Sequence, residues 1–496
     1  MLFIGLVAFG LFGALRSPDF NDYDGVQFAL AVRDGYDLNL HTPHPPGFPL
    51  YILAANGLDF ITHNAFEALT WLSAMGGALS LAMIWWVARL WWPARPAVAW
   101  LATGWLLFTP HFWLGAEKEL SDVPTLALHL AVIGCGWRGL WSWKWRTLAT
   151  ALVAVGLGFR VQNGAAFLPP WLLFTMLSLW TDPGQKGVSR MARTAWTLAT
   201  QFTVLGGICA LWFGGMLYLA GGWSPLEQAV EYHTAFLFQS ENTMGISGGF
   251  HLGWWATRVA LHANSFLLAA FGVALRLITR SNALILWGPG LAAVIVVGLA
   301  LWRARSPQAI AALLWALPHF ILEVLVFQPS NVRYALPLLP PVILFASAGV
   351  ALWRIPRPVK LLIVAPLAIW LVFISSWCIR TLRTVRSPLV ASVDWVFDGD
   401  HGSPGWGSGR VNVRGEVHRL AEYRYPLRHF DYIYERAAGA AGRVDVVVVA
   451  PPESDWFYTD SLSVDAGEFE RSFIVHPKHS HLRAEIYDIH RPRPGS

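Results

Sequence analysis

Charged side chains are scarce in this chain. Asp, Glu, Lys and Arg make up 14% of the 496 residues, whereas ordinary soluble domains contain about 25%. Hydrophobic residues reach 55% and the mean hydropathy is +0.44, so there is more apolar side chain than a single globular core can bury. This composition excludes a soluble enzyme for residues 1–380.

Cysteine and net charge are also low, and both exclude further classes of protein. The three cysteines, Cys135, Cys209 and Cys378, lie in apolar stretches, where they suit packing and indicate neither a disulfide framework nor a zinc site. The formal net charge of +5 is small for this length and does not indicate a nucleic-acid partner. No internal repeat is visible in the sequence.

Long apolar runs fill the first part of the chain. Each is long enough, or nearly so, to cross a bilayer as a helix, which satisfies its own backbone hydrogen bonds in lipid. Many of the 28 Trp lie near the ends of these runs, as expected for rings in the headgroup layer. The pattern predicts an all-α polytopic membrane bundle of about 11–13 transmembrane helices over residues 1–380, with 47–62 as a helix at the interface. The runs are about 1–15, 65–92, 97–114, 123–142, 147–159, 164–180, 195–220, 259–279, 283–302, 308–327, 335–352 and 361–379.

Lys and Arg clusters between the runs predict the orientation of the bundle. The clusters at 89–95, 138–146, 186–193, 303–305 and 354–360 would be cytoplasmic. An external tail then requires an odd number of spans, so one run is predicted to be re-entrant or interfacial. The best candidate for that run is 259–279. The segments between the other ends of the runs would face outward, which is the periplasm if the membrane is the bacterial cytoplasmic (inner) membrane. These segments are 16–64, 115–122, 160–163, 221–258, 328–334 and everything after 380.

The composition changes sharply after Arg380. Residues 387–496 contain Gly-rich loops and strand-like runs such as 444–449 and 471–475. About 110 residues is within the usual size range of a domain. The tail is therefore predicted to be a small C-terminal soluble α/β domain outside the membrane.

The first outward loop, 16–64, contains acids and histidines close to the membrane. Asp22 and Asp24 precede a short amphipathic helix at 25–34. His41 and His44 follow in a proline-rich turn that directs the chain back towards the membrane. A solvated acidic loop is one interpretation, but acids, histidines and a rigid turn at one depth favour a functional site.

Two further polar segments interrupt apolar sequence on the same predicted side. Glu119 and Asp122 lie in a short loop between two spans, where charge is commonplace. Arg160 and Gln162 interrupt a long apolar stretch near hydrocarbon depth. Arginine there costs about 2.5–3.5 kcal/mol and normally faces a cavity or an anion. The alternative is an arginine that snorkels to the headgroups.

The last polar segment lies at the predicted outer end of a span. Arg333 and Tyr334 follow a helix that carries His319 and Glu323 one turn apart, close enough to share a face. The His–Glu pair could simply support helix packing. Arg333 could anchor at the headgroups or contact an anionic ligand.

Together these segments place carboxylates and guanidiniums from distant parts of the chain at one membrane surface. A carboxylate can accept the proton of an acceptor hydroxyl as that hydroxyl attacks. Arginine can neutralise a phosphate leaving group, and its fork geometry suits phosphate oxygens. The combination favours transfer of a group from a phosphate-linked lipid donor.

Several of these motifs resemble the GT-C superfamily of membrane glycosyltransferases. The stretch Asp22-Tyr-Asp24-Gly-Val-Gln-Phe and the string His-Pro-Pro-Gly-Phe-Pro-Leu-Tyr at 44–51 look like the bacterial relatives of protein O-mannosyltransferases and of aminoarabinose transferase. The acidic loop before Val123-Pro124, the Gly-Phe-Arg160 turn and Arg333-Tyr334-Ala-Leu-Pro are also similar. The likeness covers roughly residues 1–380 and leaves the tail unassigned.

The resemblance implies an inverting enzyme with a polyprenyl-phosphate sugar as donor and an Asp of the first external loop as base. Asp24 matches that position best, and Asp22 is second; Glu119 or Asp122 would be the companion acid. Arg160 and Arg333 would contact the phosphate. The further substrate-binding candidates are His41, His44, Gln162 and Tyr334.

Two features depart from the family pattern. Many members carry an Asp-Glu pair in the first loop, where this chain has Asp24-Gly25, so the identity of the base is open between the two aspartates. Lys118 lies between two glutamates and could quench either one. No tight set of metal ligands is apparent, and no cofactor is expected, although paired carboxylates could hold a divalent cation.

Two other functions fit the same composition. A transporter or flippase of lipid-linked or small polar substrates usually has its polar site near the midplane between internal repeats, and neither feature is visible here. A non-catalytic component of envelope polysaccharide assembly would share the topology. The acceptor could be a glycan, a lipid or a protein.

Overall fold

The computed structural model of the chain describes fifteen α-helices, two 3-10 helices and four short strands. The described residues are 1–38, 42–181, 190–239, 252–271, 306–327, 331–352, 356–384, 390, 410–413, 444–449, 468–473 and 484–488. The α-helices are α1 (Leu2–Leu15), α2 (Tyr23–Arg33), α3 (Pro49–Thr62), α4 (Ala65–Trp91), α5 (Pro96–Leu107), α6 (Pro110–Glu117), α7 (Asp122–Gly139), α8 (Trp143–Phe159), α9 (Gly164–Thr181), α10 (Arg190–Leu219), α11 (Trp223–Gln239), α12 (Leu252–Phe271), α13 (Pro307–Val326), α14 (Leu339–Leu352) and α15 (Arg357–Thr384). The 3-10 helices are Val161–Asn163 and Val332–Leu338.

Local sequence signals set where several helices begin. Asn64 caps α4 by accepting a hydrogen bond from the backbone N–H of Glu67, and Ser306 caps α13 in the same way. These side chains satisfy donors that a first helical turn leaves without partners. Proline lies in the first turn of α3, α5, α6 and α13, where its missing N–H costs nothing.

Five helical segments in the described part of the chain are long and apolar enough to cross a membrane. They are Ala65–Trp91, Val161–Thr181, Met191–Leu219, Pro307–Val326 and Val332–Leu352. A sixth is added if α6 and α7, which meet at a bend of 113°, count as one broken span. The chain is an integral membrane protein, and the predicted helical bundle is confirmed. The predicted total of 11–13 spans stays a prediction.

Two apolar runs differ from the observed helices, and one shorter predicted segment agrees with them. The run 97–114 divides into α5 and α6 because Pro110 begins a new helix. The run 259–279 is described as far as Phe271 and belongs to the 20-residue helix α12, while 283–302 lies outside the described residues. The 47–62 segment forms the predicted helix, α3, and its place at the interface stays a prediction.

Close packing against α4 positions the second polar loop. An added Cβ on Gly76 would lie 2.6 Å from the Cα and N of Pro124, so only glycine lets α7 approach α4 this closely. The Ser73 hydroxyl, one turn earlier on α4, donates to the carbonyl of Leu120 at 2.9 Å. The corner between α6 and α7 is thereby fixed to the centre of the bundle.

Four strands occur in the tail, at β1 (Arg410–Val413), β2 (Val444–Val449), β3 (Glu468–Phe473) and β4 (Ala484–Asp488). They pair in the order β1-β2-β4-β3, with β1 parallel to β2 and the other pairs antiparallel. The rest of 387–496, apart from Val390, lies outside the described residues. The predicted soluble α/β domain therefore stays a prediction.

Candidate active site

Asp22 sets the start of α2 and places Asp24 in its first turn. The Asp22 carboxylate accepts a hydrogen bond from the backbone N–H of Asp24 at 3.1 Å, a capping contact that Ser, Thr, Asn and Asp favour. Asp22 is buried, whereas the Asp24 side chain keeps 18% of its surface exposed. The solvated acidic loop is therefore wrong for Asp22. A helix forms where the sequence predicts one, but it is not amphipathic, because residues 26–31 of α2 are all buried.

Glu119 of the second loop holds the first loop in place. Its Oε1 accepts hydrogen bonds from the backbone N–H groups of Asn21, at 2.7 Å, and Asp22, at 2.9 Å. The side chain is fully buried, and its Oε2 has no hydrogen-bond partner among the described residues. Glu119 thus connects residues almost 100 positions apart and satisfies the donors that precede α2.

Gly25 is required where this carboxylate enters. A Cβ at position 25 would lie 2.7 Å from Glu119 Oε1 and 2.8 Å from its Cδ. These separations are below any normal contact, so a side chain at position 25 and the observed Glu119 cannot coexist. The departure from the family's Asp-Glu pair has a structural consequence: the carboxylate next to Asp24 comes from the second loop.

Arg333 joins the end of the bundle to both first-loop acids. Its NH1 donates to Asp22 Oδ1 at 3.2 Å, and its NH2 donates to Asp24 Oδ2. Arg333 is 8% exposed, and its Nε has no hydrogen-bond partner within the described ranges. The headgroup-anchor interpretation is therefore wrong for this residue.

Arg160 lies on the second-loop side of the same cluster. Its NH1 donates to the Ser121 hydroxyl at 3.0 Å and lies 3.3 Å from Asp122 Oδ2. It is buried, so it does not snorkel to the headgroups. The Cζ atoms of Arg160 and Arg333 lie 5.6 and 5.5 Å from the ring centre of Tyr334, a cation–π distance for both. Both guanidiniums therefore lie against the same aromatic ring, whose other neighbour is the stacked ring of Phe327.

His44 faces Asp24 from the proline-rich turn. Its Nδ1 lies 2.8 Å from Gln27 Oε1 and 3.7 Å from Asp24 Oδ1. The imidazole contacts the rings of Phe28 and Phe48, which fix its plane. The structure thus brings together a histidine and an acid that the sequence separates by 20 positions.

The surroundings of Asp24 and His44 lower the pKa of both groups. Burial alone would raise the pKa of Asp24, but the Arg333 guanidinium, with smaller contributions from His44 and Arg160, holds that pKa below its ordinary value. Burial lowers the pKa of His44, and Arg333 and Arg160 lower it further against the opposing effect of Asp24. At neutral pH the site contains an ionised Asp24 and a neutral His44.

The remaining predicted residues take three different positions. Gln162 is near Arg160 in sequence, and its Oε1 is buried without a hydrogen-bond partner in the described part of the chain. Lys118 is buried and interacts electrostatically with Asp22 and Glu119. His41 lies outside the described residues.

Two contacts of the site were not anticipated from the sequence. Gln27 follows Asp24 by three positions, and this helical spacing is the signal that could have placed it beside the acid. The backbone N–H groups of Asn21 and Asp22 as partners of Glu119 left no such signal. Within the described ranges, no group of three or more His, Cys, Asp and Glu side chains is arranged to hold a metal ion.

Solved membrane enzymes share this architecture. ArnT from Cupriavidus metallidurans bound to undecaprenyl phosphate superposes with a TM-score of 0.55 at 12% identity, over 98% of this chain and 97% of that chain. The same enzyme in its apo state gives 0.53 at 13% identity, over 98% and 96%. The Archaeoglobus fulgidus oligosaccharyltransferase in complex with zinc and sulfate gives 0.52 at 13% identity, over 84% of this chain and 61% of that chain.

Sequence comparison adds no relative to these structures. No family model matches the chain, and no curated protein matches it by sequence. The structural likeness confirms the predicted resemblance to the GT-C superfamily at the level of the fold.

Proposed function

We propose that this chain transfers a sugar from a polyprenyl-phosphate-linked donor to an acceptor hydroxyl at the outer face of a bacterial cytoplasmic membrane, with inversion at the sugar. The observation that carries the proposal is the hydrogen bonding of Arg333 to both Asp22 and Asp24, with Arg160 and Arg333 both within cation–π distance of the Tyr334 ring. The fold is shared with an enzyme solved with undecaprenyl phosphate bound, which supports a donor of the same lipid class.

The two arginines form the phosphate site of this proposal. Both guanidiniums are buried, so a phosphate between them would be held in a medium of low dielectric where charge interactions are strong. Arg333 has an unused Nε donor, and its two carboxylate partners are anions that a phosphate oxygen can replace. Tyr334 lies within cation–π distance of both guanidiniums and holds them to one aromatic ring.

Asp24 is the best placed of the four acids to act as base. Asp22 caps α2, Glu119 accepts two backbone N–H groups and Asp122 pairs with Arg160. Asp24 is the most exposed of these side chains, so an acceptor hydroxyl can reach it. When a donor phosphate takes over the hydrogen bonds of Arg333, the cation that lowers the pKa of Asp24 is partly neutralised, and the carboxylate becomes a stronger base.

The reaction then balances with the groups present. The acceptor oxygen forms a bond to the anomeric carbon as its proton passes to Asp24, and the bond from that carbon to the phosphate oxygen breaks. The polyprenyl phosphate leaves with the electron pair and keeps its contacts with Arg333 and Arg160. His44 and Gln27 line the side of Asp24 and orient the bound sugar or acceptor.

A transporter or flippase is the second candidate function. The site lies where α2, the α6–α7 corner, the start of Val161–Asn163 and the 3-10 helix Val332–Leu338 meet. Transporters usually place their sites between internal repeats, and no repeat is visible in this sequence. A non-catalytic role in polysaccharide assembly would not use the ionised Asp24. The same assay distinguishes the transporter and the assembly component from the proposed enzyme.

The test is sugar transfer from radiolabelled polyprenyl-phosphate donors by purified protein. Asp24→Asn keeps the shape of the side chain and removes the base, and we expect transfer to fall about 10²–10⁴-fold. Asp34→Asn changes an exposed acid of the same loop and should retain wild-type rates. Assays with and without a chelator test the divalent cation.

Equal turnover by the wild type and Asp24→Asn would remove Asp24 as base. Absence of transfer with every donor, together with substrate-dependent flux in vesicles, would establish transport instead. Absence of both would favour the assembly component.

A further inference from the structure

A second group of ionisable side chains lies inside the bundle. His319 and Glu323 of α13, His262 of α12 and His129 of α7 are each about 1% exposed. Glu323 Oε1 lies 3.2 Å from His319 Nε2, and its Oε2 lies 3.8 Å from His262 Nδ1. Ionisable groups at such positions in membrane proteins are costly and usually have a function.

His319 links this group to the candidate active site. Its Nε2 lies 3.1 Å from the backbone carbonyl oxygen of Tyr334, and a carbonyl can only accept a hydrogen bond. Nε2 must therefore carry the proton and donate it. Glu323 Oε1, 3.2 Å from the same nitrogen, favours that tautomer because a carboxylate also needs a donor there.

Tyr334 is the residue through which this contact can act on the phosphate site. Both site arginines lie over its ring, and Arg333 directly precedes it in the chain. Phe327, which directly follows the C-terminal end of α13, also holds it, because the rings of Phe327 and Tyr334 stack with centres 4.1 Å apart. The tyrosine is thus fixed by its carbonyl at His319 and by its ring at Phe327.

We propose that His319, oriented by Glu323, is a positioning residue that holds the Tyr334 backbone and thereby sets Arg333 and Arg160 at the spacing that binds a lipid phosphate. The proposal rests on the proposed function for the identity of the ligand. Helix packing alone does not require these residues, since leucine would fill the same space without an unsatisfied carboxylate. Glu323 Oε1 lies 3.2 Å from His319 Nε2 without hydrogen-bond geometry in the described residues, so Glu323 acts on His319 through its charge.

The test compares His319 with a matched histidine. His129 is equally buried, and neither of its ring nitrogens makes a hydrogen bond of good geometry in the described part of the chain; its ring instead lies at a tilt against Phe167, with ring centres 3.8 Å apart. Binding of undecaprenyl phosphate is measured by native mass spectrometry for His319→Leu, His319→Gln and His129→Leu. Thermal unfolding of each variant is measured alongside.

We expect His319→Leu to weaken undecaprenyl phosphate binding about tenfold, as loss of one buried hydrogen bond predicts. His319→Gln should restore most of the affinity, because its amide N–H can donate to the Tyr334 carbonyl. His129→Leu should bind like the wild type. If His319→Leu does not fold, Glu323→Gln, which disturbs the tautomer, should weaken binding in the same direction.

Arg333→Gln separates failure of this inference from failure of the proposed function. If Arg333→Gln weakens binding and His319→Leu does not, or if His319→Leu and His129→Leu weaken it equally, the positioning role is overturned and the phosphate site stands. If Arg333→Gln binds undecaprenyl phosphate as the wild type does, the proposed phosphate site itself is wrong.

Discussion

Arg333 and Arg258 are buried to the same extent but have opposite kinds of partner. Arg333 is 8% exposed and donates to the carboxylates of Asp22 and Asp24. Arg258 is 7% exposed and donates to the backbone carbonyls of Val324, at 2.6 Å, and Phe327, at 2.7 Å. A phosphate can replace a carboxylate as the acceptor, whereas displacing a peptide carbonyl leaves that carbonyl unsatisfied in the bundle.

The difference shows how a buried arginine can be assigned to a ligand or to the fold. Carboxylate partners keep a cation at the site while it is empty and can give it up to another anion. Backbone partners at the end of a helix complete the hydrogen bonding of that helix. The carboxylate partners of Arg333 can therefore be replaced by a ligand anion, whereas the backbone partners of Arg258 stabilise the fold.

The largest expected effect is at Arg333. Arg333→Gln removes the cation that neutralises the leaving phosphate, so kcat/KM for the lipid-linked donor should fall about 10³-fold. Arg333→Lys keeps the charge without the fork geometry and should raise the donor KM about tenfold. Steady-state kinetics in detergent or nanodiscs measure both. The comparison breaks if Arg258→Gln lowers kcat/KM as much as Arg333→Gln.

Gly25 gives the next largest effect. An Ala Cβ would collide with Glu119, so Gly25→Ala should displace Glu119 or α2 and lower kcat about 10²-fold, as a misplacement of about 1 Å does. Glu119→Asp shortens the intruding side chain and should recover part of the activity in the double variant. Gly57→Ala of α3, where an added Cβ meets nothing within 4 Å, is the matched control. Normal activity of Gly25→Ala would show that Glu119 does not fix the site.

The comparison also shows what the sequence could predict. Hydropathy predicted the bundle because a backbone in lipid has few alternatives to a helix. The alternation of charged loops predicted Asp24 and Arg333 on the same side of the bundle; the two are hydrogen-bonded, and their place at a membrane surface stays a prediction. The sequence did not predict which group pairs with each charged side chain. Glu119 as an acceptor for the backbone of Asn21 depends on a contact across 98 positions, which no local pattern encodes. The carbonyl partners of Arg258 likewise depend on the packing of α12 against α13.

The smallest expected effect on activity, and the sharpest test of the comparison, is at Arg258. Arg258→Gln leaves the carbonyls of Val324 and Phe327 short of donors, at roughly 1–3 kcal/mol for each buried group. The Tm of the purified protein should therefore fall. Undecaprenyl phosphate affinity should stay within about threefold of the wild type, because Arg258 reaches the site only indirectly, through the backbone carbonyl of Phe327, whose ring stacks on Tyr334. Thermal unfolding and lipid titration on the same preparation measure the two quantities. Loss of affinity at unchanged Tm would mean that Arg258 contacts the ligand. The kind of hydrogen-bond partner would then no longer distinguish a ligand-binding arginine from a structural one.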